Sequence, residues 1–171
     1  DVMFDNRTHW MTDAEGGNYR VFAIDGSDAQ RGDATGENMI ERYCTGNFLA
    51  GQRLIYASAS GLPVGRYIFK AVAQKGADGG VIELFANDDR SPVTSVKVLR
   101  ETEVATDVLD QDLTVGVESG LNNACQWVSF ADVALEYQSP YMLLEEAVAA
   151  SDTLTYGEDK GGALKKAVDE A

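Results

Sequence analysis

The sequence predicts an all-β protein, an antiparallel β-sandwich of jelly-roll type with a short helical segment behind it. Three observations carry this. From Asn18 to about Tyr137, short β-branched and aromatic runs alternate with clusters of Gly, Asp, Asn and Ser, the rhythm of strands and tight turns. No long helical period interrupts that stretch. The runs number eight or nine, the strand count of a jelly roll.

In chain order the predicted strands are Asn18–Ile24, Asn38–Cys44, Gln52–Ser58, Gly65–Gln74, Val81–Ala86, Thr94–Leu99, Glu103–Leu109, Leu113–Glu118 and Trp127–Tyr137. In the fourth, Tyr67, Phe69, Ala71 and Ala73 alternate with Arg66, Ile68, Lys70, Val72 and Gln74, which gives one strongly apolar face and a central place in a sheet. In the eighth, Leu113, Val115 and Val117 point one way while Thr114, Gly116 and Glu118 point the other, so one face is core and the other meets water.

After Ser139-Pro140 the period changes. Leu143, Leu144, Ala147, Val148 and Leu154 recur at three and four, with Glu145 and Glu146 on the remaining face, the pattern of a helix. A Gly-containing link then leads to a second helical stretch, Ala163–Ala171, striped by Leu164, Ala167 and Val168. Two short helices bury little alone. The expected organisation is therefore a sandwich over 1–139 and, over 140–171, the start of a further helical module. The chain opens on Asp1 and stops at Ala171 inside a helical pattern, which reads as a piece of a longer polypeptide.

Composition narrows the function classes. Lys and Arg number 14 against 28 Asp and Glu, a formal charge of −14. Such a field repels phosphate backbones and anionic lipid heads, so no nucleic-acid partner and no membrane insertion are expected. The longest apolar runs fall far short of the ~20 residues a membrane span needs. One histidine, His9, and two cysteines rule out a His-rich site or a Cys₂His₂ finger. Cys44 and Cys125 leave two readings open, one long-range disulfide in an exported chain or two buried thiols.

The turn-and-strand Gly61-Leu62-Pro63-Val64-Gly65-Arg66-Tyr67-Ile68-Phe69-Lys70-Ala71 resembles the loop that enters a central strand in galactose-binding-like sandwiches of Bacteroidetes surface and polysaccharide-degrading proteins. Leu84-Phe85-Ala86-Asn87-Asp88 is similar to a strand end of that family. So is Leu113-Thr114-Val115-Gly116-Val117, followed by Asn123-Ala124-Cys125-Gln126-Trp127-Val128-Ser129-Phe130-Ala131-Asp132-Val133-Ala134-Leu135. Together these segments cover about half of the sandwich in the family's order. The last departs from the family's pattern, having Phe130-Ala131-Asp132-Val133 where Phe, Asp and Asn are usual. The resemblance implies a carbohydrate-binding module of a secreted or cell-surface multimodular protein, with a polysaccharide or glycan and the neighbouring domains of the same polypeptide as partners. It also implies a structural Ca²⁺ near the junction of the first and last strands, for which Asp132 is the available ligand.

Enzyme readings lack support. No Gly-x-Ser-x-Gly elbow, Walker loop or Gly-x-Gly-x-x-Gly is present, and a Ser-His-Asp triad would have to recruit His9. The Asp25-Gly26-Ser27-Asp28 and Asp88-Asp89 clusters match no ordered calcium loop and read as turns. Sugar recognition needs a flat aromatic face beside amides and acids that bond hydroxyls. The candidates are Trp10, Tyr43, Asn47, Phe48, Asn87, Asp88, Arg90, Asn122 and Asn123. Each has a plainer reading in packing or turn formation. Trp10 stands out because Thr8-His9-Trp10-Met11-Thr12 is a polar surround, whereas Trp127, opening the last strand, reads mainly as a packing anchor. The alternative function is a structural or adhesive spacer without a sugar ligand.

Overall fold

The computed structural model describes residues 10–11, 19–24, 31–76, 79–121, 124–142, 144–145 and 147. By internal contacts the chain divides into two units, Asp1–Tyr137 and Gln138–Ala171. The first is a sandwich, and among the described residues it has nine strands: β1 Tyr19–Ala23, β2 Asn38–Tyr43, β3 Arg53–Ala59, β4 Gly65–Lys75, β5 Ile82–Ala86, β6 Asp89–Pro92, β7 Arg100–Val108, β8 Leu113–Ser119 and β9 Trp127–Gln138. One sheet has the order β1-β2-β9-β4-β7 and the other β3-β8-β5-β6. Every pairing with an assigned register is antiparallel.

The alternation read in the sequence fills the space between the sheets. Tyr67, Phe69, Ala71 and Ala73 of β4 and Val128 and Phe130 of β9 meet Ile55 and Ala57 of β3, Leu84 and Ala86 of β5, and Leu113, Val115 and Val117 of β8. Pro63 and Gly65 shape the turn before β4, and the buried Tyr67 ties it down by donating its hydroxyl to the Pro63 carbonyl at 2.9 Å. A second apolar cluster, of Ile24, Ala34, Met39, Val72, Leu99 and Ala131, covers part of the outer face of the five-stranded sheet. Cys125 is buried, Cys44 is half-buried, and neither is in a disulfide.

One predicted strand is replaced. Thr94–Leu99 is not a strand, and Asp89–Pro92 is. Asn87, left-handed at φ 51°, reverses the chain in two residues, so the residues right after the turn pair back onto β5. The β-branched Thr94–Leu99 run instead carries the chain from one sheet to the other. It touches Lys75 through a single parallel bridge at Val96 and passes through a left-handed Lys97 before Leu99 enters the second cluster. Pro92 is placed where a missing N–H is tolerated, at the end of an edge strand.

In β9 the inward positions are Val128 and Phe130 before Asp132, and Val133 and Leu135 after it. Asp132, at φ 49°, absorbs the extra residue. In the second unit Ser139 caps a short helical turn at 140–142, its Oγ accepting the Met142 N–H at 3.2 Å, with Pro140 at the first helical position. The expected helix over Ala163–Ala171 lies outside the described residues.

Candidate functional site

The outer face of the four-stranded sheet carries chemistry that packing does not call for. Because Tyr56 pairs with Gly116, Gly116 with Phe85 and Phe85 with Arg90, these four stand in one outward row across β3, β8, β5 and β6. Met11 extends the row through its bridge to Tyr56. The next row is Arg53, Glu118, Glu83 and Pro92. Beyond the first row on the other side, Ser58 and Thr114 share a hydroxyl hydrogen bond at 2.9 Å.

Phe85 is fully buried although it lies outside the sandwich core, because guanidinium groups cover it. The Arg53 guanidinium carbon lies 5.2 Å from its ring centroid and that of Arg90 5.5 Å, both within cation–π range. Arg53 also lies over Tyr56, at 5.6 Å. Arg90 is fixed on three sides. Its Nε pairs with Glu118 Oε1, and its Nη1 donates to the carbonyls of Asn87 at 2.8 Å and Asp89 at 3.1 Å. The Glu118 side chain is only 11% exposed, so the pair is held largely out of water. Arg53 makes no ion pair among the described residues. Gly116 has to be a glycine, because a Cβ there would lie 2.2 Å from the Ile55 carbonyl oxygen and 2.7 Å from the Tyr56 Cα.

This face offers donors on Arg53 and Arg90, acceptors on Glu83 and Glu118, a half-buried ring on Tyr56 and an exposed thioether on Met11. An array of that kind hydrogen-bonds vicinal hydroxyls and contacts C–H faces.

Of the residues singled out in the sequence, the structure brings Arg90 onto this face and sets Asn87 and Asp88 in the turn at its rim. Asn87 is spent on the turn: its Oδ1 accepts the Thr114 N–H at 2.8 Å and its Nδ2 donates to the Asp112 carbonyl at 3.1 Å. Asp88 is exposed at the tip. Tyr43, 44% exposed, and the exposed Asn47 lie at the opposite end of the molecule, and Phe48 plugs the core there. Asn122 and Asn123 lie outside the described residues. Trp10 is 5% exposed and meets Phe130 edge-on at 5.5 Å, so its ring serves the core and not a surface. The cause is register. Met11 bridges Tyr56 and points out with it, which turns Trp10 in.

Asp132 acts as a pin. Its carboxylate accepts the Thr35 N–H and hydroxyl and the Gly36 N–H, holding the 31–36 segment against β9. Oxygens facing N–H donors do not face a cation. Among the described residues no group of three His, Cys, Asp or Glu gathers as a metal site. The donor set around Asp132 therefore does not fit the structural Ca²⁺ that the resemblance implied.

The sequence reading missed Arg53, Tyr56 and Glu118. Glu118 was legible as an outward position of β8. Arg53 and Tyr56 were hidden by the register shift between Arg53 and Ile55, which breaks simple alternation at the start of β3.

A two-sheet antiparallel sandwich of this kind is the fold of carbohydrate-binding modules, to which the chain is similar among solved structures. It superposes on the CBM22-1–GH10 modules of endo-1,4-β-D-xylanase 10B from Clostridium thermocellum, solved with xylohexaose, at a TM-score of 0.54 and 10% identity, covering 77% of this chain and 26% of that one. The CBM22-1 xylan-binding domain from Paenibacillus barcinonensis matches at a TM-score of 0.52 and 10% identity, over 78% of this chain and 88% of that one. This chain thus spans about a quarter of the xylanase structure and most of the isolated module. At such identities the likeness establishes the fold. No family model matches the chain, and no curated protein matches it. No helix among the described residues is long and apolar enough to cross a membrane.

Proposed function

We propose that this chain is a non-catalytic carbohydrate-binding module of a larger secreted or cell-surface protein, which it holds against a polysaccharide. The sandwich over 1–139 does the binding, and 140–171 begins the next module of the same polypeptide. The observation that carries the reading is the outer face of the four-stranded sheet, where Arg53 and Arg90 roof an aromatic ring outside the core beside Glu118. A roofed, polar sheet face suits an extended neutral sugar chain lying across strands. The formal charge of −14 disfavours polyanions.

The test is a neutral-glycan array followed by calorimetry on the chain and on its Arg53→Met and Glu118→Gln variants. Saturable binding that both substitutions weaken supports the reading. Absence of binding across plant and host glycans leaves a spacer that positions neighbouring domains.

A further inference from the structure

The opposite side of the sandwich holds a second arrangement with unmet polar groups. On the outer face of the five-stranded sheet, Tyr43 of β2 stands beside Trp127 of β9, and Glu41 beside Ser129. Just after β4, Gly76 donates its N–H to the Trp127 carbonyl at 3.0 Å. A Cβ on Gly76 would lie 2.5 Å from the Trp127 Nε1, so the indole rests directly over the glycine's bare backbone. The half-buried Trp127 and the 44% exposed Tyr43 form an aromatic row at the end of the face that the second apolar cluster does not cover.

Behind this row lie two polar side chains with no exposure, Gln74 and Ser129. The Gln74 Oε1 and the Ser129 Oγ meet no hydrogen-bond partner among the described residues. The Gln74 amide makes only a long contact, from Nε2 to Met39 Sδ at 3.8 Å. Buried polar atoms are nearly always paired, so each orphan calls for an explanation. An acceptor and a hydroxyl left unpaired beside an aromatic row call for a ligand with C–H faces and several hydroxyls.

We propose that this row is a second glycan-binding surface. A neutral pyranose stacks on Trp127 and Tyr43, and its hydroxyls supply the hydrogen bonds that Gln74 Oε1 and Ser129 Oγ lack. Both atoms are fully buried, so seating the sugar requires the side chains that cover them to move aside. The acidic field of the chain disfavours uronates and sulfated sugars. The surface shares no residue with the Arg53–Arg90 face, so the module engages two sugar chains at once, one on each sheet.

The experiment is calorimetry and tryptophan fluorescence on the full chain with xylohexaose, β-1,4-galactotriose and the neutral-glycan array. The chain has two tryptophans, so a Trp10→Phe background isolates the emission of Trp127. Sugar binding is expected to shift that emission. Trp127→Ala should remove one of two binding events, Gln74→Met should weaken the same event about tenfold, and Arg53→Met should leave it intact. Thermal melts check that each variant folds. If Trp127 emission is unmoved at saturating sugar, or if every binding event survives both Trp127→Ala and Gln74→Met, the inference is overturned and the row is packing. If Gln74→Met raises Tm while sugar affinity is unchanged, the orphan atoms hold a buried water only. Trp127-dependent binding that ignores Arg53→Met and Glu118→Gln would sink the four-stranded-sheet site and keep this one. No binding to any glycan would sink both.

Discussion

Replacing Arg53 by methionine separates what the four-stranded face does for folding from what it does for a ligand. Methionine keeps an unbranched apolar stem over Phe85 and Tyr56 and removes only the guanidinium, which has no ion-pair partner among the described residues. Each lost cation–π contact costs about 0.5–1 kcal/mol at a half-exposed site. Sulfur–aromatic contacts return about 0.3–1.5 kcal/mol. The net loss of stability is therefore ~1 kcal/mol or less. For a unit spanning Asp1–Tyr137 that corresponds to a fall in Tm of about 4 °C at most. A hydrogen bond from a charged donor to a sugar hydroxyl is worth about 1.5–3 kcal/mol. Glycan affinity at this face should then drop roughly 10- to 150-fold. Differential scanning fluorimetry gives the first quantity and calorimetry the second. An Arg53→Met protein that binds as tightly as the parent refutes the assignment of the face, and a fall in Tm well beyond 10 °C shows that the roof over Phe85 is structural.

Three further expectations follow from the same geometry. Trp10→Ala empties a core position against Phe130 and should cost about 3–5 kcal/mol, seen as a Tm lower by about 10 °C or more, whereas Trp10→Phe should fold; a near-parental melt for the alanine variant would place Trp10 outside the core. Asp33 accepts the Glu101 N–H and pairs with Arg100, and these hold its carboxyl below the usual range. A depressed folded-state pKa gives stability that is present above the unfolded value near 4 and is lost as pH falls through the folded value. Asp33→Asn should therefore lower Tm at pH 7, with the gap to the parent closing in melts taken below about pH 4. Calcium titration should leave Tm unchanged, because the Asp132 carboxylate faces N–H groups, while Asp132→Ala should loosen the 31–36 segment and speed hydrogen exchange at Thr35 and Gly36; a Tm that rises with calcium would place a cation site elsewhere in the chain.

The strands whose residues alternate cleanly were legible in the sequence, and the reason is burial. Tyr67, Phe69, Ala71 and Ala73 face the core and their neighbours do not, so β4 announces its orientation, and β8 does the same through Leu113, Val115 and Val117. The edge strand β6 was not legible. Asp89-Arg90-Ser91-Pro92 has no apolar alternation, because an edge strand can be held by a two-residue turn and backbone pairing alone. Trp10 misled for a related reason. Its polar neighbours describe a surface, but a single bridge at Met11 decides which way the indole points. Arg90 was singled out in the sequence together with Asn87 and Asp88. Its partners were out of reach of sequence reading, since Glu118, 28 positions away, and Arg53 reach it only through the strand order β3-β8-β5-β6.

The left-handed Asp132 gives the last strand of the sandwich two reading frames. Upstream of it the even-numbered residues Val128 and Phe130 are inside; downstream the odd-numbered Val133 and Leu135 are. Excising that one residue would place Leu135 and Tyr137 on the solvent side and drive Glu136, the ion-pair partner of Lys70, into the interior. Length changes that the exposed turn at 109–112 would tolerate are therefore forbidden in the middle of β9. Relatives of this chain should vary in that turn and keep the residue count of the strand, even where the residue itself changes to asparagine or glycine, the other types at ease with a positive φ.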